Sequence, residues 1–138
     1  MRNMSAIALG LLVTAFGLYG APAVTPLAIP AAFDTIGGTT NALALIVMLM
    51  TTQVFTAFGG WVTARIVTDH RVGHAIFMAM LGLVAAVLVG AIRWGAAPLW
   101  YYAVSWTLMP FAAALGAAAW ERTLRRSSSA AERRIATS

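Results

Sequence analysis

The side chains that could do chemistry in this chain are few, and two of them are histidines four residues apart. His70 and His74 stand beside Asp69, and this spacing places two imidazoles on one face of a helix. Imidazole and carboxylate groups are common metal ligands. However, Gly73 falls between the histidines where a helix is expected to begin, and no third ligand lies within the apolar stretch that follows. We therefore expect no metal site, with His70 and His74 as the weak candidates.

Gln53 is the amide that lies deepest inside an apolar stretch, with Thr51, Thr52 and Thr56 around it. In hydrocarbon its donors and its acceptor need partners. The side chain is therefore expected either to join two helices through a hydrogen bond or to contact a solute. The bond between helices is the favoured interpretation.

Several kinds of active site are missing from the sequence. No apolar stretch carries an Asp, Glu, Lys or Arg in its middle, where proton-coupled transporters usually place one. The small multidrug transporters need a carboxylate in their first helix, which this chain lacks. The chain also has no cysteine, no paired carboxylates and no Ser/His/Asp set. We expect no catalytic residue and no cofactor. The remaining enzymatic alternative acts on lipid headgroups through Asp69, His70, Arg71 and His74.

Four apolar stretches must position these side chains. They cover about residues 4–20, 42–64, 74–92 and 99–120, each near the roughly 20 residues that a helix needs to cross a bilayer. Hydrophobic residues make up 61% of the 138 and charged residues 9%, against about 25% charged residues in soluble domains. The sequence therefore predicts an all-α membrane protein with one transmembrane domain, residues 1–120, of four helices.

The segments outside these helices differ in character. Residues 21–41 are apolar, with prolines that disfavour helix at positions 22, 26 and 30. We expect a hydrophobic loop there or, alternatively, a short interfacial helix around Ala31 to Ile36, followed by a cap from Thr39, Thr40 or Asn41. Residues 121–138 are basic and are expected to form a disordered cytoplasmic tail.

The first stretch has a second interpretation as a cleaved signal peptide. A basic head, an apolar stretch and Ala21-x-Ala23 fit such a signal over residues 1–23. Gly10, Thr14 and Gly17 have the spacing of a helix-packing face, which a discarded peptide would not need. An uncleaved helix is favoured.

The nine arginines predict the orientation. With four crossings, eight of them fall on one side of the membrane and only Arg93 on the other. Such a bias places both termini in the cytoplasm, in the plasma (inner) membrane of a bacterium, as a multi-pass protein. The basic residues adjoin the apolar stretches, so the net charge of +5 indicates anionic lipid headgroups as partners and not nucleic acid.

Small residues recur every four positions and predict where helices approach closely. On the predicted second helix they are Thr52, Thr56, Gly60 and Ala64. On the third they are Gly82, Ala86 and Gly90, and on the fourth Ala112 and Gly116. We expect these stripes, with Gln53, to close a bundle or a homo-oligomer. The alternative is a pathway for a solute.

The start of the last helix combines aromatic residues with a proline further on. Trp94, Trp100, Tyr101 and Tyr102 are typical of an aromatic belt at one membrane face. Pro110 should free the carbonyl of Trp106, and Ser105 or Thr107 would be close enough to satisfy it.

Two short motifs resemble uncharacterised small bacterial four-helix membrane proteins. One is Gly-Gly-Trp-Val-Thr-Ala-Arg at positions 59–65, with a histidine, His74, opening the next helix. The other is Pro-Leu-Trp-Tyr at positions 98–101. The resemblance covers roughly residues 55–120 and implies four helices with a tight junction between the second and third. It implies no chemistry.

These observations favour a non-enzymatic function. The leading hypothesis is a structural or accessory subunit that packs with itself, as a homo-oligomer, or with a larger membrane complex. The alternative is a transporter or channel for a small solute, formed by a homo-oligomer.

Overall fold

The computed structural model describes residues 2–34 and 38–136, and within them the chain is helical without strands. The elements are α1 (Arg2–Ala28), a short 3-10 helix (Pro30–Ala32), α2 (Ala42–Ile66), α3 (Arg71–Ile92) and α4 (Leu99–Ala136). Each of the four α-helices is long and apolar enough to span a membrane. The predicted all-α fold of four such helices is confirmed.

α1 does not end near Gly20, as the prolines led us to expect, but continues to Ala28 with Pro22 and Pro26 inside it. Pro22 and Pro26 leave the carbonyls of Leu18 and Pro22 without their helical donors, and a membrane helix tolerates this where it packs against its neighbours. Here Ala21 and Thr25 are buried in the bundle. Tertiary packing therefore extends the helix past the point where local preference would end it.

The connection between α1 and α2 is folded over one end of the bundle. Thr39 holds it there, since its backbone N–H donates to the Ala96 carbonyl at 2.9 Å and its hydroxyl to the Ala32 carbonyl at 2.6 Å. Asn41 then caps α2, its side chain accepting from the N–H groups of Leu43 and Ala44. The interfacial helix expected around residues 31–36 is reduced to the 3-10 turn, and residues 35–37 lie outside the described part.

α3 begins earlier than predicted, at Arg71, and the tight junction before it is made by His70. This residue adopts the left-handed conformation, with φ of 46°. At the other end of α3, a turn with Gly95 at φ of 93° leads into α4. Glycine suits this position because it adopts positive φ without steric cost.

α4 does not end at Trp120. The segment from Glu121, predicted to be disordered, stays helical to Ala136. It contains neither Gly nor Pro, and Ala, Arg, Glu and Leu are strong helix formers. The hydroxyls of Ser127 and Ser128 donate back to the Leu124 carbonyl at 2.8 and 3.1 Å. The high charge of this segment therefore does not prevent it from forming a helix.

The helices alternate in direction, and α2 is central. α2 packs extensively against α1 and α4, whereas α1 and α3 meet only loosely. Leu45 and Tyr101, near the starts of α2 and α4, share one core cluster, and Ala64 and Ala117, further along both helices, share another. α2 and α4 therefore run parallel. We call the end where α2 and α4 begin the turn end, and the opposite one the arginine end.

Candidate functional site

Glycines bring the backbone of α2 into contact with two neighbours. A Cβ added at Gly59 would lie 2.6 Å from the Gly10 carbonyl oxygen of α1. A Cβ at Gly60 would strike the backbone of Ala113 in α4, and one at Gly116 would strike that of Ala57. Gly59 and Gly60 thus lie in two different interfaces, α1–α2 and α2–α4. In both interfaces the helix backbones are in contact.

The other predicted packing residues also lie between helices. Thr52, Thr56 and Ala64 are fully or almost fully buried on α2, and both threonine hydroxyls donate to carbonyls of their own helix. On α3, a Cβ at Gly82 would lie 3.3 Å from the Met109 Cε, and one at Gly90 would lie 2.7 Å from the Trp106 ring. Ala86, between these glycines, is 4% exposed.

Gln53 joins α2 to α4. Its Nε2 donates to the Ser105 backbone carbonyl at 3.2 Å, while its Oε1 is buried and has no hydrogen-bond partner among the described residues. The donor therefore makes a bond between helices of the kind that the sequence favours.

A cavity of about 350 Å³ lies at the turn end, and we call it the turn-end cavity. All four helices and both connections at this end contribute to its wall. The wall includes α3 residues Ala86 and Gly90, which the sequence assigns to packing, and Arg93 at the end of α3. Its other side chains are mainly apolar and aromatic; the rings are those of Tyr19, Phe33, Tyr101, Tyr102 and Trp106.

Two residues of this wall that carry hydroxyl groups are buried. Tyr101 and Ser105 are one helical turn apart on α4, and they are 8% and 5% exposed. Among the described residues neither hydroxyl makes a hydrogen bond. The predicted aromatic belt placed Tyr101 at the membrane face, but this residue is buried. Trp94 and Trp100 are exposed, as a belt requires.

The bond expected near Pro110 is not made as predicted. The Thr107 hydroxyl donates to the Ala103 carbonyl at 2.7 Å and not to that of Trp106. Ser105 does not satisfy the Trp106 carbonyl either, because its hydroxyl makes no hydrogen bond to a described residue. The hydroxyl of Ser105 is thus free for another role.

A shallow apolar groove runs between α1 and α3 towards the turn-end cavity. Leu11, Leu12 and Ala15 line it on α1, and Leu81, Gly82 and Ala85 line it on α3. Leu18 and Tyr19 belong to both the groove and the cavity. The groove and the cavity therefore share part of their walls, and the groove lies on the lipid-facing surface because Leu12 is 68% exposed.

The arginine end presents an aromatic cluster instead of a cavity. The Arg65 guanidinium lies over the rings of Trp61 and Trp120, at 5.4 and 5.6 Å from their centroids. Such contacts stabilise by about 0.5–1 kcal/mol at exposed sites. Trp61 and Trp120 meet edge to face at 5.4 Å, joining α2 to α4. Trp61 and Arg65 belong to the motif at positions 59–65, and Trp120 lies outside it.

The histidines at the arginine end form hydrogen bonds to the protein itself. His74 Nδ1 lies 3.1 Å from the His70 carbonyl oxygen, and its Nε2 lies 3.5 Å from the Asn3 Nδ2. Arg71 donates from Nε to the Val67 carbonyl at 2.9 Å, while Asp69 and His70 are exposed. Within residues 2–34 and 38–136, no three His, Asp or Glu side chains are placed to hold a metal ion.

Sequence reasoning did not find the turn-end cavity. Its wall comes from five separate parts of the chain, and most of its members are apolar residues that look like ordinary core. The available signal was the pair Tyr101 and Ser105, whose spacing places two hydroxyls on one face of a buried helix.

No protein-family model, curated protein or solved structure matches this chain.

Proposed function

We propose that this chain is a non-enzymatic structural or accessory subunit of a bacterial inner membrane, with both termini in the cytoplasm. It would pack with itself or with a larger membrane complex, and anionic headgroups would contact its arginine end. The motifs at residues 59–65 and 98–101 support the assignment to small bacterial membrane proteins only as a resemblance.

The observation that carries this proposal is the use of polar side chains within the membrane-spanning segments. The hydroxyls of Thr52, Thr56 and Thr63 donate to carbonyls of their own helix, and Gln53 Nε2 donates to Ser105. Backbone contacts at Gly60 and Gly116 close the space between α2 and α4. Among the described residues this leaves no continuous polar path along the bundle, which favours packing over conduction.

The second candidate is a small-solute transporter formed by a homo-oligomer, and the turn-end cavity favours it. The cavity reaches Ser105, six residues into α4 and so about 9 Å below the start of that helix. A solute path would need a further opening towards the arginine end, and in a homo-oligomer the lumen between copies would supply it.

Native mass measurement in mild detergent tests these two functions. An accessory subunit is expected to co-purify with larger subunits in fixed proportion, or to form a dimer without a lumen. A closed ring that admits a small fluorescent solute into reconstituted vesicles would reject the accessory assignment. Vesicles with the Gly60→Leu variant, which cannot close the α2–α4 contact, serve as the control for nonspecific leakage.

A further inference from the structure

The turn-end cavity has features of a binding site that packing does not explain. Its volume of about 350 Å³ is at the lower end of the roughly 300–1,000 Å³ typical of small-molecule pockets. Such pockets combine apolar and aromatic walls with a few polar groups that orient the ligand. Among the polar groups here are the hydroxyls of Tyr101 and Ser105. Both residues are more than nine-tenths buried, and neither hydroxyl has a hydrogen-bond partner among the described residues.

Those hydroxyls carry the chemical argument. A hydroxyl that makes no bond to the protein can both donate to and accept from a molecule that enters the cavity. Tyr101 and Ser105 sit one turn apart on α4, so a single ligand between them can accept from one and bond the other. The interior of the cavity therefore favours a ligand that carries at least one hydrogen-bonding oxygen.

The remaining wall limits the charge and shape of that ligand. The one cation among the lining residues, Arg93, is exposed at the mouth, and no acidic residue lines the cavity. The inner wall is therefore uncharged. Tyr102 and Trp106 form an aromatic surface, with ring centroids 5.6 Å apart. Aromatic walls pack well against a flat ring in offset or edge-on contact.

The route to the cavity indicates the phase from which the ligand comes. The groove between α1 and α3 meets the cavity at Leu18 and Tyr19 and is open along the lipid-facing surface. Over the top, the connection held by Thr39 to Ala96 covers the turn end. A lateral route through lipid is thus more open than one through the connection.

We propose that the turn-end cavity binds an uncharged, lipid-soluble ring compound with a hydrogen-bonding oxygen, the chemistry of a quinone or a phenol. The ring lies among the aromatic side chains of Tyr102 and Trp106, and its oxygen bonds the hydroxyls of Tyr101 and Ser105. Binding of this kind goes beyond the accessory function and does not depend on it.

Calorimetric titration tests the proposal with menadione, a two-ring quinone, and the protein in lipid nanodiscs. Empty nanodiscs serve as the blank. The chain has no cysteine that a quinone could alkylate. We expect saturable binding of one menadione per chain. The analogue 2-methylnaphthalene, which has the rings without the oxygens, should bind more weakly.

Variants assign the binding to the cavity. Ser105→Ala and Tyr101→Phe each remove one hydroxyl and should raise the Kd by about two- to tenfold, the effect of one hydrogen bond. Thr107→Val removes a hydroxyl that faces away from the cavity and should leave the Kd unchanged. Ala86→Phe should fill the cavity and abolish binding, whereas Ala91→Phe, on the exposed face of α3, should not.

Three results would overturn the proposal. They are the absence of saturable heat above empty nanodiscs, the same Kd in Ser105→Ala, Tyr101→Phe and Thr107→Val, and equal affinity for 2-methylnaphthalene and menadione. If Ala86→Phe does not fold, the two hydroxyl variants still decide the question, because each leaves the shape of the side chain nearly unchanged. Thermal unfolding without menadione verifies that every variant compared is folded.

Discussion

At the scale of single residues, Gln53 illustrates how a polar group is accommodated in this bundle. It makes one bond across to Ser105 and leaves one buried acceptor without a partner among the described residues. Loss of the bond would lower the free energy of unfolding, whereas loss of the unpaired acceptor would raise it. The net contribution of Gln53 to stability is therefore small.

The first prediction compares two substitutions of Gln53. Gln53→Leu should lower stability by less than about 1 kcal/mol, since a hydrogen bond between membrane helices averages about 0.6 kcal/mol. Gln53→Glu should cost roughly 2.5–3.5 kcal/mol, because it places a carboxylate deep in the membrane and removes the donor to Ser105. Thermal unfolding in detergent measures both. A Gln53→Glu protein that is as stable as the wild type and transports a cation would contradict the packing role.

The second prediction compares a glycine in contact with a neighbouring helix with a glycine that has room around it. Gly60→Ala places a methyl group against the Ala113 backbone, which cannot move without shifting α4. We expect a loss of about 1–3 kcal/mol, the usual effect of overpacking. Gly20→Ala meets only the Phe16 ring at 3.8 Å and should be neutral or slightly stabilising. Equal tolerance at the two positions, measured by thermal unfolding, would show that α2 and α4 are not in backbone contact.

At the scale of elements, the two ends of each helix differ in charge. Arg65 and Arg71 lie at the junction of α2 and α3, and Arg122, Arg125 and Arg126 follow on the extension of α4. Arg93 is the one arginine at the turn end of the described part. Because the helices alternate in direction, eight of the nine arginines fall at the same end of the chain's four helices.

The third prediction tests the orientation that follows from this bias. Because the chain has no cysteine, single introduced cysteines can be labelled without background. Thr40→Cys, exposed at the turn end, should react with an impermeant maleimide in intact cells. Ser128→Cys, exposed on the extension of α4, should react only after the cells are opened. The reverse pattern would place both termini outside the cytoplasm.

At the scale of the whole molecule, the pairing of α2 with α4 decides the architecture. These helices are not neighbours in sequence, yet they share the core cluster of Ala64, Ala75 and Ala117 at the arginine end. α3 reaches the same cluster from the other side. The loose side of the molecule is then between α1 and α3, where the groove leads to the turn-end cavity.

The fourth prediction tests this pairing through disulfide formation in membranes. Ala64→Cys with Ala117→Cys places two thiols in one fully buried cluster, so oxidation should bridge them readily. Ala64→Cys with Ala119→Cys is the matched control, because residue 119 is exposed on the other side of α4. Peptide mapping after oxidation measures the bridge. Equal yields from both pairs would contradict the parallel contact of α2 and α4.

Sequence by itself determined the helices, because the length and hydropathy of each apolar stretch reflect the bilayer that it must cross. It also located α2 and the turn at Gly95, and it named Asn41 as one of three candidate caps, since these depend on neighbouring residues. Local rules failed for the end of α1 and for the extension of α4. In α1 the buried Ala21 and Thr25 hold the helix beyond its prolines, while helix propensity outweighs charge in α4.

Only the tertiary structure decided which small residues face which helix, and where space remains between them. Gly59 and Gly60 are adjacent and alike in sequence, but one contacts α1 and the other contacts α4. The sequence placed Tyr101 in an aromatic belt and offered Ser105 as a partner for the Trp106 carbonyl, whereas the folded chain places both residues in one cavity wall. The physical reason is that lipid drives no association between apolar helices, so their pairing depends on close backbone fit, which hydropathy does not encode.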